Sequence, residues 1–186
     1  GASALAFAFR TFPSVTPGAR RRDPRCDRAD LLRFVSEPLE RPLHLAGAPK
    51  ARLRVSTTAE DTAFGFLLQV SPPGEDAWYH VREAFGALSF LTDTPTTSEV
   101  KAIDVEAWPI EWTFPAGARL GVEVRSSSFP LYAAHPNVSG PWAAAERTQT
   151  ATQTLHPGSY LDLPLRPPGE PVLSSTALGT VQPQMA

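Results

Sequence analysis

Phe114-Pro115-Ala116-Gly117-Ala118-Arg119-Leu120-Gly121-Val122-Glu123-Val124-Arg125-Ser126-Ser127-Ser128-Phe129-Pro130 is the stretch from which the fold is read. Proline and glycine, the strongest turn formers, open it. Strict alternation follows, with Leu120, Val122 and Val124 on one side and Arg119, Glu123 and Arg125 on the other. A period of two marks a half-buried β-strand with one face in a core. The hydroxyl run and Phe129-Pro130 end it, because proline cannot donate to a ladder.

Working outward, the rest of the chain is punctuated in the same way. Leu31 to Val35, Pro42 to Leu45 and Ala51 to Thr57 read as short strands, and Thr62 to Val70 is apolar enough for a strand buried on both faces. Trp78 to Arg82 and Phe85 to Leu91 read as two further strands, followed by strands around Val100 to Val105 and Trp108 to Phe114. Leu131 to Gln149 has no clear period beyond one helical turn at Ala143 to Arg147. Thr150 to His156 and Tyr160 to Leu165 read as a closing hairpin around Pro157-Gly158. Leu5, Phe7 and Phe9 form a lead-in strand, and Phe12 to Asp30 is a linker.

About ten short strands with regular turn signals predict an all-β, two-sheet jelly-roll sandwich of the galactose-binding-like kind. The expected organisation is a lead-in and linker over 1–30, the sandwich over 31–166 and a loose tail over 167–186.

Bulk composition narrows the functions. The 186 residues suffice for one domain, and 20 prolines against 12 glycines disfavour long helices. The net charge is −2, and Arg20, Arg21, Arg22, Arg25 and Arg28 alternate with Asp23, Asp27 and Asp30. That balance predicts no nucleic-acid partner and no membrane partner. A single cysteine, Cys26, excludes an internal disulfide, so a cytoplasmic setting is the simpler expectation. The apolar start lacks a basic region and an initiator methionine, and it reads as a processed or cloned fragment rather than a signal peptide.

Chemistry is sparse. No Gly-x-Ser-x-Gly elbow occurs, and Ser126 to Ser128 at a strand end are expected to satisfy backbone groups rather than to attack a substrate. His44, His80, His135 and His156 lack the short spacings of a zinc site. Glu60-Asp61, Glu75-Asp76 and Asp104/Glu106 could hold calcium, but each reads more simply as surface charge, so no catalytic residue, metal or cofactor is assigned. Asn137-Val138-Ser139 is a formal glycosylation sequon. Trp78, Tyr79, Trp108, Tyr132 and Trp142 are candidate interface or ligand contacts, because exposed aromatics stack on sugars or anchor partners. Trp112 is expected in the core.

The order of these landmarks resembles the carboxy-terminal β domain of the X-prolyl dipeptidyl-peptidase and cocaine-esterase family of serine hydrolases. Phe114, Gly117, Arg119, Val124, Ser126 to Ser128, Phe129 and Pro130 match one run of that domain, with Ala118 replacing a histidine. Ser36-Glu37-Pro38-Leu39, Gly47, Arg52-Leu53 and Val55-Ser56-Thr57 look like its first strands. Asp61-Thr62-Ala63-Phe64 is similar to an Asp-Thr-Asp-Phe run, and Pro136 to Gly140 resembles an Asn-Thr-Gly loop. Thr152-Gln153-Thr154 and Leu163-Pro164 look like its close. The resemblance implies a non-catalytic jelly roll packed on an α/β-hydrolase domain that carries the Ser-His-Asp triad, with Pro13-Ser14-Val15 opening the linker between them. A carbohydrate-binding β-sandwich is the rival class, a calcium-stabilised module the third, and self-association into a homo-oligomer stays open.

Overall fold

The computed structural model describes residues 31–92, 98–129 and 131–167. The lead-in strand, the linker, Cys26 and the tail beyond Pro167 lie outside them.

Eleven strands are described: β1 (Leu32–Val35), β2 (Leu43–Gly47), β3 (Lys50–Thr57), β4 (Ala63–Ser71), β5 (Tyr79–Ala87), β6 (Lys101–Glu106), β7 (Ile110–Phe114), β8 (Arg119–Arg125), β9 (Gln153–Leu155), β10 (Tyr160–Asp162) and β11 (Leu165–Arg166). One four-residue helix, α1 (Leu88–Leu91), follows β5, and a single 3-10 turn spans Trp142–Ala144. All pairings are antiparallel. Strands β1-β8-β4-β5 form a four-stranded floor sheet, while β11-β2-β7 and β10-β3-β6, with β9 also on β3, form two smaller roof sheets.

The two roofs cover two halves of one floor face. Phe64 and Phe66 of β4 pack with Leu53 and Val55 of β3 and Ile103 and Val105 of β6. Leu68 and Val70 of β4 pack with Leu45 of β2, Phe114 of β7 and Ala118. Burying each such aliphatic or aromatic side chain contributes about 1.5–3 kcal/mol. The result is a β sandwich in which β4 belongs to both cores, and all nine of its residues are buried, as its apolar run predicts.

Local chemistry explains the joins. Gly117 adopts φ +81°, and its N–H donates to Leu39 O at 2.7 Å, while Leu39 N–H donates to Ala118 O at 2.8 Å. The Ser36 hydroxyl accepts Leu120 N–H at 2.9 Å. The Ser36 to Leu39 segment therefore pins the turn that launches β8, and fully buried Ala118 fills the space beneath it.

Three expectations are corrected. Trp78 to Leu91 is one strand and a helical turn rather than two strands. A bulge opposite Leu68 and Gln69 keeps β5 continuous, and Leu88 N–H then turns to Thr62 O at 2.7 Å. The closing hairpin is not a hairpin, because β9 and β10 both run antiparallel along the same edge of β3. Pro157 and Gly158 form an outward bulge there. Arg54 N–H is satisfied by Ser159 Oγ at 2.9 Å, and Arg54 Nη1 donates to Pro157 O at 2.8 Å. Third, β8 is not half-buried, since Glu123 on its charged side is only 1% exposed.

Candidate functional site

The outer floor face carries the first cluster. Residues on a regular strand three apart point to opposite faces, yet His80 and Glu83 share this one because Val81 is the extra residue of the bulge. His80 Nε2 stands 3.6 Å from Glu83 Oε1. Arg125 Nη2 donates to Glu83 Oε2 at 2.7 Å and Ser128 Oγ donates to the same oxygen at 2.5 Å. Arg125 Nη1 lies 3.8 Å from Glu123 Oε2. Two buried carboxylates are thus held by a guanidinium at the end of β8. A buried charge persists only when paired and hydrogen-bonded in this manner.

Aromatic rings lie on the same face. Trp78 lies over Gly121, where an added Cβ would meet the indole at 2.7 Å, and Arg33 stacks 4.3 Å from the ring centroid. Tyr132 packs on Phe85 with centroids 5.0 Å apart. Burial, reinforced by the negative charge of Glu83, pushes the Tyr132 phenol above its usual range.

A second cluster joins the loop between β3 and β4 to the segment after β8. Asp61 Oδ1 accepts the N–H groups of Thr62 at 2.8 Å and Ser89 at 3.0 Å, and Oδ2 lies 3.4 Å from His135 Nε2. His135 Nδ1 accepts Asn137 N–H at 2.9 Å, which fixes the neutral ring with its proton on Nε2. Burial holds the imidazole below its ordinary range, with Asp61 opposing the shift. Asn137, at φ +64°, accepts from Thr62 Oγ1 at 2.8 Å and donates to Gln149 O at 2.8 Å. Gln153 Nε2 also donates to Thr62 Oγ1. The Asn137 amide is thus spent internally and is no glycan acceptor in this fold. Glu60 closes the loop with Arg147 Nη2 at 2.7 Å, and that hydrogen bond holds its carboxyl below the usual range.

These clusters contain Ser, His and acid, so each can be tested as a catalytic set. A triad needs the histidine between hydroxyl and carboxylate. Around Glu83 the carboxylate is central, and Ser128 donates to it directly. His135 has its carboxylate, but its other nitrogen is filled by a backbone amide. His156 Nε2 meets Ser56 Oγ at 2.9 Å, and among the described residues no carboxylate completes that pair. None of the three sets is arranged for acyl transfer.

The candidate contacts are spread over the domain. Trp78 and Tyr132 lie on the outer floor face. Tyr79 packs against the core and donates its hydroxyl to Glu75 Oε2 at 3.0 Å. Trp142 meets His135 edge-on at 4.5 Å. Trp108 is 73% exposed, ahead of a shallow cleft of about 300 Å³ lined by Gly47, Pro109, Ile110, Glu111 and Arg166. Trp112 is half-buried against the core. Of the carboxylates considered for calcium, Asp104 lies 3.2 Å from Lys50 Nζ and 3.3 Å from Arg52 Nη1. Sequence reasoning missed Glu83, Arg125, Asp61 and His135 as clusters, since their partners lie on distant strands. The sole pointer was the placement of Asp61-Thr62 and Asn137 within the family-like runs.

Known proteins place this geometry. The family model for the X-Pro dipeptidyl-peptidase C-terminal non-catalytic domain matches residues 6–162. Cocaine esterase from Rhodococcus sp. (strain MB1 Bresler) is 29% identical over 158 residues, covering 80% of this chain and 28% of the esterase. The structure of an alpha-amino acid ester hydrolase superposes with a TM-score of 0.69 at 31% identity, over 75% of this chain and 26% of that one. An aminopeptidase from the marine sediment archaeon Thaumarchaeota archaeon shares the fold, with a TM-score of 0.68 at 24% identity over 77% of this chain and 27% of that one. The chain therefore spans about a quarter of the length of the relatives it matches. With a β sandwich and a family match running from residue 6 to residue 162, the chain belongs to the family of X-Pro dipeptidyl-peptidase C-terminal non-catalytic domains.

Proposed function

We propose that the chain is the supporting domain of an acyl-esterase or X-prolyl-peptidase-like serine hydrolase, holding an α/β-hydrolase domain and part of its substrate pocket. The observation that carries this reading is the match to a non-catalytic domain by a chain that spans only about a quarter of the length of its hydrolase relatives. In this reading residues 31–166 form a jelly roll whose second sheet is the split roof, and a serine, a histidine base and an oxyanion hole act in the partner domain. An interdomain contact of about 600–1,500 Å² is typical and suffices to fix a pocket wall.

The test is enzymatic. The chain alone is expected to give no saturable hydrolysis of p-nitrophenyl esters, while the hydrolase domain of its gene loses thermal stability when the chain is deleted. Saturation kinetics from the chain alone would refute the reading. Exposed Trp108, which precedes Pro109 of the Glu111–Arg166 cleft in the sequence, supports the carbohydrate-binding alternative, which titration calorimetry against a glycan panel checks: no heat with any sugar removes it.

A further inference from the structure

The connection from β8 to β9, residues 126–152, carries one 3-10 turn and no strand among its described residues. Connections of this length are uncommon in a compact domain and usually serve a function. From Ser126 to Ala145 this one contains no Asp, Glu, Lys or Arg, in a chain that is 19% charged. It is fastened step by step along β5, the edge strand of the floor, and then along α1. Ser128 bonds Glu83 of β5, and Tyr132 packs on Phe85 two residues further along. His135 meets Asp61, whose other oxygen holds the N–H of Ser89 in α1. Trp142 closes the series, touching both His135 and, at a centroid distance of 6.1 Å, Phe90 of α1. Tyr132 N–H donates to Ser128 O at 3.0 Å, so Phe129 and Leu131 lie in the turn between the Glu83 and Phe85 anchors.

What this strip leaves to solvent is apolar. Phe90, Phe129 and Leu131 are 81%, 73% and 48% exposed, and Ala133, Ala134, Pro141, Ala144 and Ala145 are exposed with them. The outer face of the β3–β6 roof has the opposite character, with Lys50 and Arg52 paired to Asp104 in solvent. Contiguous apolar surface marks an interaction site where isolated exposed residues do not.

We propose that this uncharged strip, with Phe90, Phe129, Leu131 and Trp142 as its apolar contacts, is the seat of the α/β-hydrolase domain. The inference rests on the reading under Proposed function and adds the surface that makes the contact. Two observations select this occupant. This chain covers 28% of the cocaine esterase and 26% of the amino acid ester hydrolase, so in those relatives the domain is joined to a much larger remainder that needs a seat on it. The composition suits a surface that stays covered: the buried centre of an interface is depleted of charged residues and enriched in aromatic ones. A domain tethered to this one stands at an effective concentration of about a millimolar and keeps such a strip out of water, whereas a second copy does so only at high protein concentration.

Carbene footprinting with mass spectrometry tests the surface, comparing the chain alone with the chain joined to the hydrolase domain of its own gene. Labelling of Phe90, Phe129, Leu131 and Trp142 is expected to fall severalfold in the joined protein, while Trp108 and Tyr160, exposed elsewhere, keep theirs. Phe90→Glu with Leu131→Glu should restore the lost labelling and lower Tm in the joined protein while leaving Tm of the chain alone unchanged. An equal fall of Tm in both forms would show that the two side chains hold the domain itself together and overturns the proposal. Unchanged labelling of the strip with protection around Trp108 or Tyr160 overturns the proposed seat and leaves the supporting role standing. Absence of protection anywhere overturns both. Protection of the strip that grows with the concentration of the isolated chain assigns it to a second copy and overturns the proposal.

Discussion

His135 and Asp61 face each other at 3.4 Å inside the domain while the far nitrogen of the ring accepts the amide of Asn137. Only a neutral ring can take that amide. Its folded pKa lies below the ordinary value of 6.5, so the unfolded chain binds the proton more readily. Stability from this site is fully present above pH 6.5 and falls as pH drops below it toward the folded value. Thermal melts between pH 8 and pH 5 should show this loss, and His135→Gln should flatten that part of the curve. An unaltered slope in the variant would show that the ring does not set it.

Breaking the pair at the end of β8 should be costly. Glu83→Ala removes the acceptor of both Arg125 and Ser128 and leaves a partly buried guanidinium, an effect of about 3–5 kcal/mol. Ser128→Ala deletes one hydrogen bond and should cost about 1 kcal/mol. Urea unfolding of the two variants gives the order, and equal values would contradict the central role of the carboxylate.

Close backbone approach makes two glycines unequal. A Cβ on Gly65 would sit 2.4 Å from the carbonyl oxygen of Ala84, which belongs to the ladder and cannot yield. On Gly121 it would meet the Trp78 ring, which can move. Gly121→Ala should lose about 1–3 kcal/mol and Gly65→Ala more. Chemical denaturation checks the order, and Trp78 fluorescence should respond to the Gly121 change alone.

Asn137 combines a left-handed backbone with two side-chain bonds. Asn137→Gly keeps the conformation and loses the bonds, at about 1–3 kcal/mol. Asn137→Ala adds backbone strain to that loss. Melting temperatures should fall in the order asparagine, glycine, alanine.

The parts of the fold legible in the sequence are those encoded by local period. Strand β4 is a continuous apolar run and is buried on both faces, and β3 alternates as Leu53 and Val55 require. What stayed hidden depends on distant partners. Pro157-Gly158 carries the signature of a chain reversal, yet a serine hydroxyl and an arginine side chain stand in for the missing ladder bonds and let the chain run on. Glu123 sits at an alternating charged position and reads as solvated, but it is 1% exposed with Arg125 Nη1 3.8 Å from its carboxylate. The Asp61–His135 pair joins residues with no local signal linking them. The aromatic candidates were visible as residue types, while their dispersal was set by which strand edge each occupies.

A floor strand that serves both cores, as β4 does between its neighbours β5 and β8, acts as a keystone. Either roof can be trimmed or re-tailored at its own loops while its neighbour stays seated, but slippage in β4 reaches both cores at once. Native-state hydrogen exchange should therefore find β4 among the last amides to open, with the two canopies releasing earlier and at different free energies.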